Sequence, residues 1–103
     1  MDDRLKTIAD HYGLDSQLNI LQEELAELIQ AVSKFRRERS NHIIEEIADV
    51  LLMLDQIVYL LNKEFNVCDV YEFVSLWYEK KIRRQLDRID EEARNNGNEQ
   101  GSN

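Results

Sequence analysis

The sequence predicts an all-α protein. The 103 residues include no proline and only three glycines, so little interrupts a helix. Long segments repeat apolar residues at the i, i+3, i+4, i+7 spacing of one helical face. The expected architecture is an antiparallel bundle of three main helices, preceded by a short one and completed by oligomerisation. It forms one domain over residues 1–94, and a polar, glycine-containing tail, 95–103, is expected to be disordered.

The elements follow in order. Residues 3–12 read as a short leading helix that stops near Gly13. Asp15 or Ser16 can cap the next helix, which starts about Gln17 and runs to the mid-thirties. Residues 35–41 are polar and basic, and Ser40 or Asn41 can cap a helix from His42 to about Phe65. Asp69 with Glu72 resembles a capping box for a last helix ending near Arg94.

Two acidic clusters stand out, Glu23-Glu24-Leu25-Ala26-Glu27 and Glu45-Glu46-Ile47-Ala48-Asp49. Each holds acids three residues apart, which share a helix face with Cβ atoms roughly 5–6 Å apart. On a helical wheel, Ile20, Leu21, Leu28, Ala31 and Phe35 form the apolar stripe of the first helix. Glu24 falls in its middle, Glu27 beside it and Glu23 at its margin. On the second helix Ile43, Ile47, Val50, Leu54, Ile57 and Leu61 form the stripe; Ile44, Leu51 and Val58 widen it to one side, and Met53 and Leu60 to the other. Glu46 lies inside that arc, Asp49 at its edge, and Glu45 points away. A solvated acidic face would lie opposite the stripe. Carboxylates turned toward a core cost several kcal/mol unless neutralised. The expected neutraliser is a divalent cation held by Glu24, Glu27, Glu46 and Asp49.

The two clusters pose a register problem. A tight hairpin turning at Ser40 would set Glu46 and Asp49 opposite residues near 32–33, an offset of roughly 10 Å from Glu24 and Glu27. An early stop of the first helix near Lys34 is the favoured solution. A crossing angle, or a partner subunit that supplies one cluster, are the others.

Composition narrows the function. The formal net charge is −8, which argues against a nucleic-acid polymer as partner. The apolar run 47–61 is broken by Asp49, Asp55 and Gln56, so no membrane span is expected. The single Cys68 allows no intrachain disulfide, the N-terminus lacks an apolar signal region, and a cytoplasmic setting is expected. The apolar arc of the His42 helix spans about 200°, more than one neighbour covers, so a homodimer or homotetramer is expected.

Oxygen ligands without His or Cys select Mg²⁺ or Mn²⁺, or Ca²⁺, over Zn²⁺. A carboxylate-held Mg²⁺ suits cleavage of phosphate esters or anhydrides. Glu23 would serve as general base or extra ligand. Lys34, two turns beyond Glu27, and Lys81 with Arg84 on the last helix are the candidate phosphate-binding cations. His11 and His42 read as lone histidines, and nothing pairs them with a nucleophile.

The stretch from Gln22 to Ala31, followed by Glu45-Glu46-Ile47-Ala48-Asp49-Val50-Leu51, resembles the MazG-like all-α nucleoside triphosphate pyrophosphohydrolases. That family carries an EExxE motif and then an ExxD motif, and the resemblance covers most of residues 17–90. It implies Mg²⁺-dependent hydrolysis of an NTP or dNTP to the monophosphate and pyrophosphate. By motif position it assigns the metal to Glu24, Glu27, Glu46 and Asp49, with Glu23 assisting. It also implies oligomers whose sites are often built from more than one subunit. Two other readings compete. A di-metal redox bundle of ferritin-like type would need Glu-x-x-His steps, which are absent. A catalytically silent helical oligomer with a regulatory or interaction role keeps the fold without turnover.

Overall fold

The structure, a computed structural model, describes the backbone of residues 1–101 and the side chains of residues 1–97. All its regular elements are helices: α1 (Asp3–Tyr12), α2 (Leu14–Glu38), α3 (His42–Glu64) and α4 (Val70–Gly101). The chain divides into two compact units, Met1–Val70 and the part from Tyr71 onward, which is the body of α4.

Local chemistry sets the helix ends. The Asp2 carboxylate accepts the Arg4 N–H at 2.9 Å and caps α1. The neighbouring Arg4 guanidinium holds that carboxyl down at about 2. Gly13 alone separates α1 from α2. Its N–H closes α1 on the Ala9 carbonyl at 2.8 Å, and its own carbonyl accepts from Gln17 at 3.1 Å. It does so at φ +85°, which a side chain would resist. The expected caps Asp15 and Ser16 are therefore already inside α2, which begins one turn early.

α2 does not stop near Lys34, as the register problem favoured, but continues to Glu38. Lys34, Arg36, Arg37 and Glu38 are good helix formers, and Arg36 and Arg37 in the last turn suit the helix dipole. Arg39, in the left-handed region at φ +54°, ends the helix with its N–H on the Phe35 carbonyl. Ser40 Oγ then accepts the His42 N–H at 3.3 Å. After α3, the Asn62 side chain accepts the Val70 N–H at 2.7 Å and fixes the start of α4. α4 passes the expected stop at Arg94 and runs to Gly101. No proline follows, and one glycine costs only about 1 kcal/mol in a helix. Residues 102 and 103 lie outside the described residues.

Within Met1–Val70 the main packing is α2 on α3, with α1 against α3 and, less extensively, α2. The α2 face runs through Gln17, Leu21, Glu24, Leu28, Ala31 and Phe35, all buried or half-buried. The α3 face runs through Ile43, Glu46, Val50, Met53, Ile57 and Leu60, all but Ile43 buried. Both alternate steps of three and four, the heptad spacing of a helix–helix seam. This shifts the expected stripes. Gln17, not Ile20, continues the α2 face, and Ile20 is exposed. On α3, Ile47 and Leu54 are exposed while Met53 and Leu60 are buried. The apolar arc of α3 is wider than α1 and α2 cover, so one side stays open.

α1 is tied to α3 by the Tyr59 hydroxyl, which donates to the Asp10 carboxylate at 2.8 Å. Ala9, fully buried, is the buried residue of α1 and packs it into the core. Ala9→Leu should overpack that contact and cost about 1–3 kcal/mol by urea denaturation. The same change at exposed Thr7 should be close to neutral, and equal effects would show that α1 is not packed this way.

Candidate metal site

The acidic clusters meet in the α2–α3 seam. Three equivalent levels can be followed along it. Gln17 Nε2 donates to Gln56 Oε1 at 2.6 Å. Seven residues on along α2, and seven back along α3, Glu24 faces Asp49. Seven further, Ala31 and His42 line one recess. The heptad seam thus repeats every seven residues on both helices, in antiparallel register.

Glu24, Glu46 and Asp49 each place a carboxylate oxygen within 4.8 Å of the others. Glu46 is 5% exposed, and Glu24 and Asp49 are half-buried. Glu24 Oε2 and Glu46 Oε2 are buried with no hydrogen-bond partner in the structure. Buried polar atoms normally have one. Two orphaned carboxylate oxygens beside a third acid form a donor set of hard oxygens that fits a divalent cation.

Electrostatics describe the same strain. Burial raises the Glu24 pKa, and the charges of Glu27, Asp49 and Glu46 push it further. A hydrogen bond with Glu27 also favours its neutral form. Burial likewise raises Glu46, with Glu27 the largest repulsive charge, while His42 pulls it back. Glu27 is therefore not one of the clustered three, yet its charge acts on both buried acids. It is exposed and lines a recess of about 410 Å³ with Gln30, Ala31, Lys34, His42 and Glu46.

The remaining sequence-predicted residues separate. Glu23 is exposed on α2, next to Glu24 but outside the cluster. Lys34 lines the recess beside Glu27 and Glu46. Lys81 and Arg84 are exposed on α4, in the second unit. His42, read as a lone histidine, has Nε2 3.0 Å from Glu46 Oε1 and Nδ1 3.7 Å from Glu45 Oε2. Its spacing was the available signal, since His42 and Glu46 are one turn apart on a helix.

A model of the MazG nucleotide pyrophosphohydrolase domain matches residues 13–89, well over half of the chain. The chain belongs to the MazG family. The match spans both acidic clusters and runs into α4. The family description is of a hydrolase acting on nucleotide pyrophosphate bonds. Searches of curated proteins and of solved structures gave no match.

The raised carboxyls give a pH dependence whose sign is fixed. Above the ordinary value of 4.5, the folded protein still holds protons on Glu24 and Glu46 that the unfolded chain has lost. Stability of the metal-free protein should therefore fall as pH rises from about 5 toward neutrality. Saturating divalent cation should remove that slope. Thermal melts in chelator and in Mg²⁺ across this range test it, and a chelated protein that gains stability toward neutral pH would contradict the assignment.

Proposed function

We propose that this MazG-family protein is a Mg²⁺-dependent nucleoside triphosphate pyrophosphohydrolase, cleaving an NTP or dNTP to the monophosphate and pyrophosphate. The observation that carries the reading is the cluster of Glu24, Glu46 and Asp49 with its two orphaned buried oxygens. Glu24, Glu46, Asp49 and the adjacent Glu27 would hold the metal, with Mn²⁺ as a substitute. When bound, it supplies charge neutralisation for the polyphosphate and lowers the pKa of an attacking water.

The other roles belong to the chain itself. Glu23, exposed beside Glu24, would orient the water or accept its proton. Lys34, in the recess shared with Glu46, would take a phosphate oxygen that faces away from the acids. Lys81 and Arg84 are the cations proposed for α4; they stand three apart on one helix face. The uncovered side of α3, with Ile44, Ile47, Leu51 and Leu54 exposed, supports a homodimer or homotetramer. The three main helices would then complete their bundle against a second copy.

Pyrophosphate release from a panel of NTPs and dNTPs tests the activity. None from any of them, with Mg²⁺ or Mn²⁺, would overturn it. Glu46→Gln should reduce turnover at least a hundredfold, because the amide removes a charge but little volume. Glu45→Gln should retain most activity, since Glu45 is exposed and outside the cluster. Light scattering after size exclusion should give a multiple of the chain mass, and a stable monomer would refute the oligomer.

A further inference from the structure

We propose that His42 and Glu46 form a second cation site at the mouth of the acid cluster, one that takes a borderline divalent ion such as Zn²⁺ through an imidazole nitrogen. The proposal rests on the reading of Glu24, Glu46 and Asp49 as a cation site and extends it. It adds a nitrogen donor to a site whose oxygens alone favour Mg²⁺ or Mn²⁺.

The two oxygens of Glu46 have different surroundings. Oε1 lies 3.0 Å from His42 Nε2. Oε2 is buried with no hydrogen-bond partner, in a side chain only 7% exposed. A carboxylate that meets two further acids and an imidazole can bridge two ions, as in two-metal sites, where the ions stand about 3.5–4 Å apart.

The spacing fits chelation. Two donors about 2.1 Å from one ion, at right angles to each other, lie about 3.0 Å apart. Nε2 and Oε1 are 3.0 Å apart. Both residues belong to one turn of α3, so a single element sets the separation. The other ring nitrogen supports the same assignment. Nδ1 faces Glu45 Oε2 at 3.7 Å. That is too long for a hydrogen bond, but a carboxylate on this side favours the tautomer with its hydrogen on Nδ1. The Nε2 lone pair is then free for an ion. Metal-bound histidines are commonly oriented by a carboxylate on their second nitrogen.

The site is open on one side. His42 is 48% exposed and lines the recess with Glu27, Gln30 and Lys34. Water or a phosphate oxygen can complete the coordination there. Glu27 supplies negative charge on the α2 side that offsets Lys34. The competing account is a plain ion pair one turn apart on a helix. The two accounts differ in what they need: chelation needs the imidazole nitrogen as a donor to the ion, whereas a pair only steadies Glu46.

The test compares two ions. Tag-free Cys68→Ser protein, which lacks the competing exposed thiol, is titrated with Zn²⁺ and with Mg²⁺ by calorimetry. His42→Ala and His42→Gln are titrated beside it in the same background. Both should lose at least tenfold in Zn²⁺ affinity and keep their Mg²⁺ affinity. Nitrogen NMR of the histidine side chains should show Zn²⁺ shifting His42 Nε2 before any signal of His11, the other histidine. A His42 nitrogen that excess Zn²⁺ leaves unmoved overturns the proposal. So does an equal loss of Zn²⁺ and Mg²⁺ affinity in the variants, which would make His42 a support for Glu46 alone. Should the variants fail to fold, the parent spectrum decides. Neither reading needs a nucleotide. Mg²⁺ binding without Zn²⁺ at His42 would sink this proposal and leave the acid cluster standing, so the two fail separately.

Discussion

The site depends on the axial setting of α2 against α3. Levels seven residues apart on each helix are matched along the seam: Gln17 with Gln56, Glu24 with Asp49, Ala31 with His42. Azimuth brings the acids to the seam, but only this offset brings acids from two helices to one level. The same offset forces α2 past the start of α3. Arg39 absorbs the excess with a left-handed residue that ends the helix on the Phe35 carbonyl. The geometry of the hairpin turn is thus a consequence of the register.

That register gathers charge where burial penalises it. Glu24 and Glu46 are both held above the ordinary carboxyl range, by burial first and by neighbouring acids second. Each leaves an oxygen buried without a partner. Such an arrangement is costly in a protein that has only to fold. It is intelligible as a preorganised set of oxygens whose repulsion is relieved when a cation joins them. Strained, perturbed carboxyls are characteristic of functional sites for this reason.

Charge also changes sign over a short distance. The recess beside the acids is lined by Glu27 and Glu46 on one hand and by Lys34 and His42 on the other. Glu27 stands at the boundary: exposed to the recess, yet the strongest repulsive charge on Glu46.

Much of this was legible in the residues. The four helices, the absence of strands among the described residues, and the placement of Glu24 and Glu46 on apolar faces all follow from local spacing. A helix turns about 100° per residue wherever it is found. Gly13 and Arg94 show both sides of that local logic. The glycine ended a helix because its φ is positive, while the polar residues after Arg94 did not, since nothing there forbids helical backbone. Periodicity fixes azimuth and says nothing of axial offset, because a heptad pattern is nearly unchanged by a slide of seven. Hence the early stop at Lys34, a reasonable inference from loop length, was mistaken, and Gln17 was missed in favour of Ile20. Which acids of the two helices meet, and the burial of Gln56, were decided only when two helices packed. Each depends on the distance between atoms of different helices, which the tertiary contact alone sets.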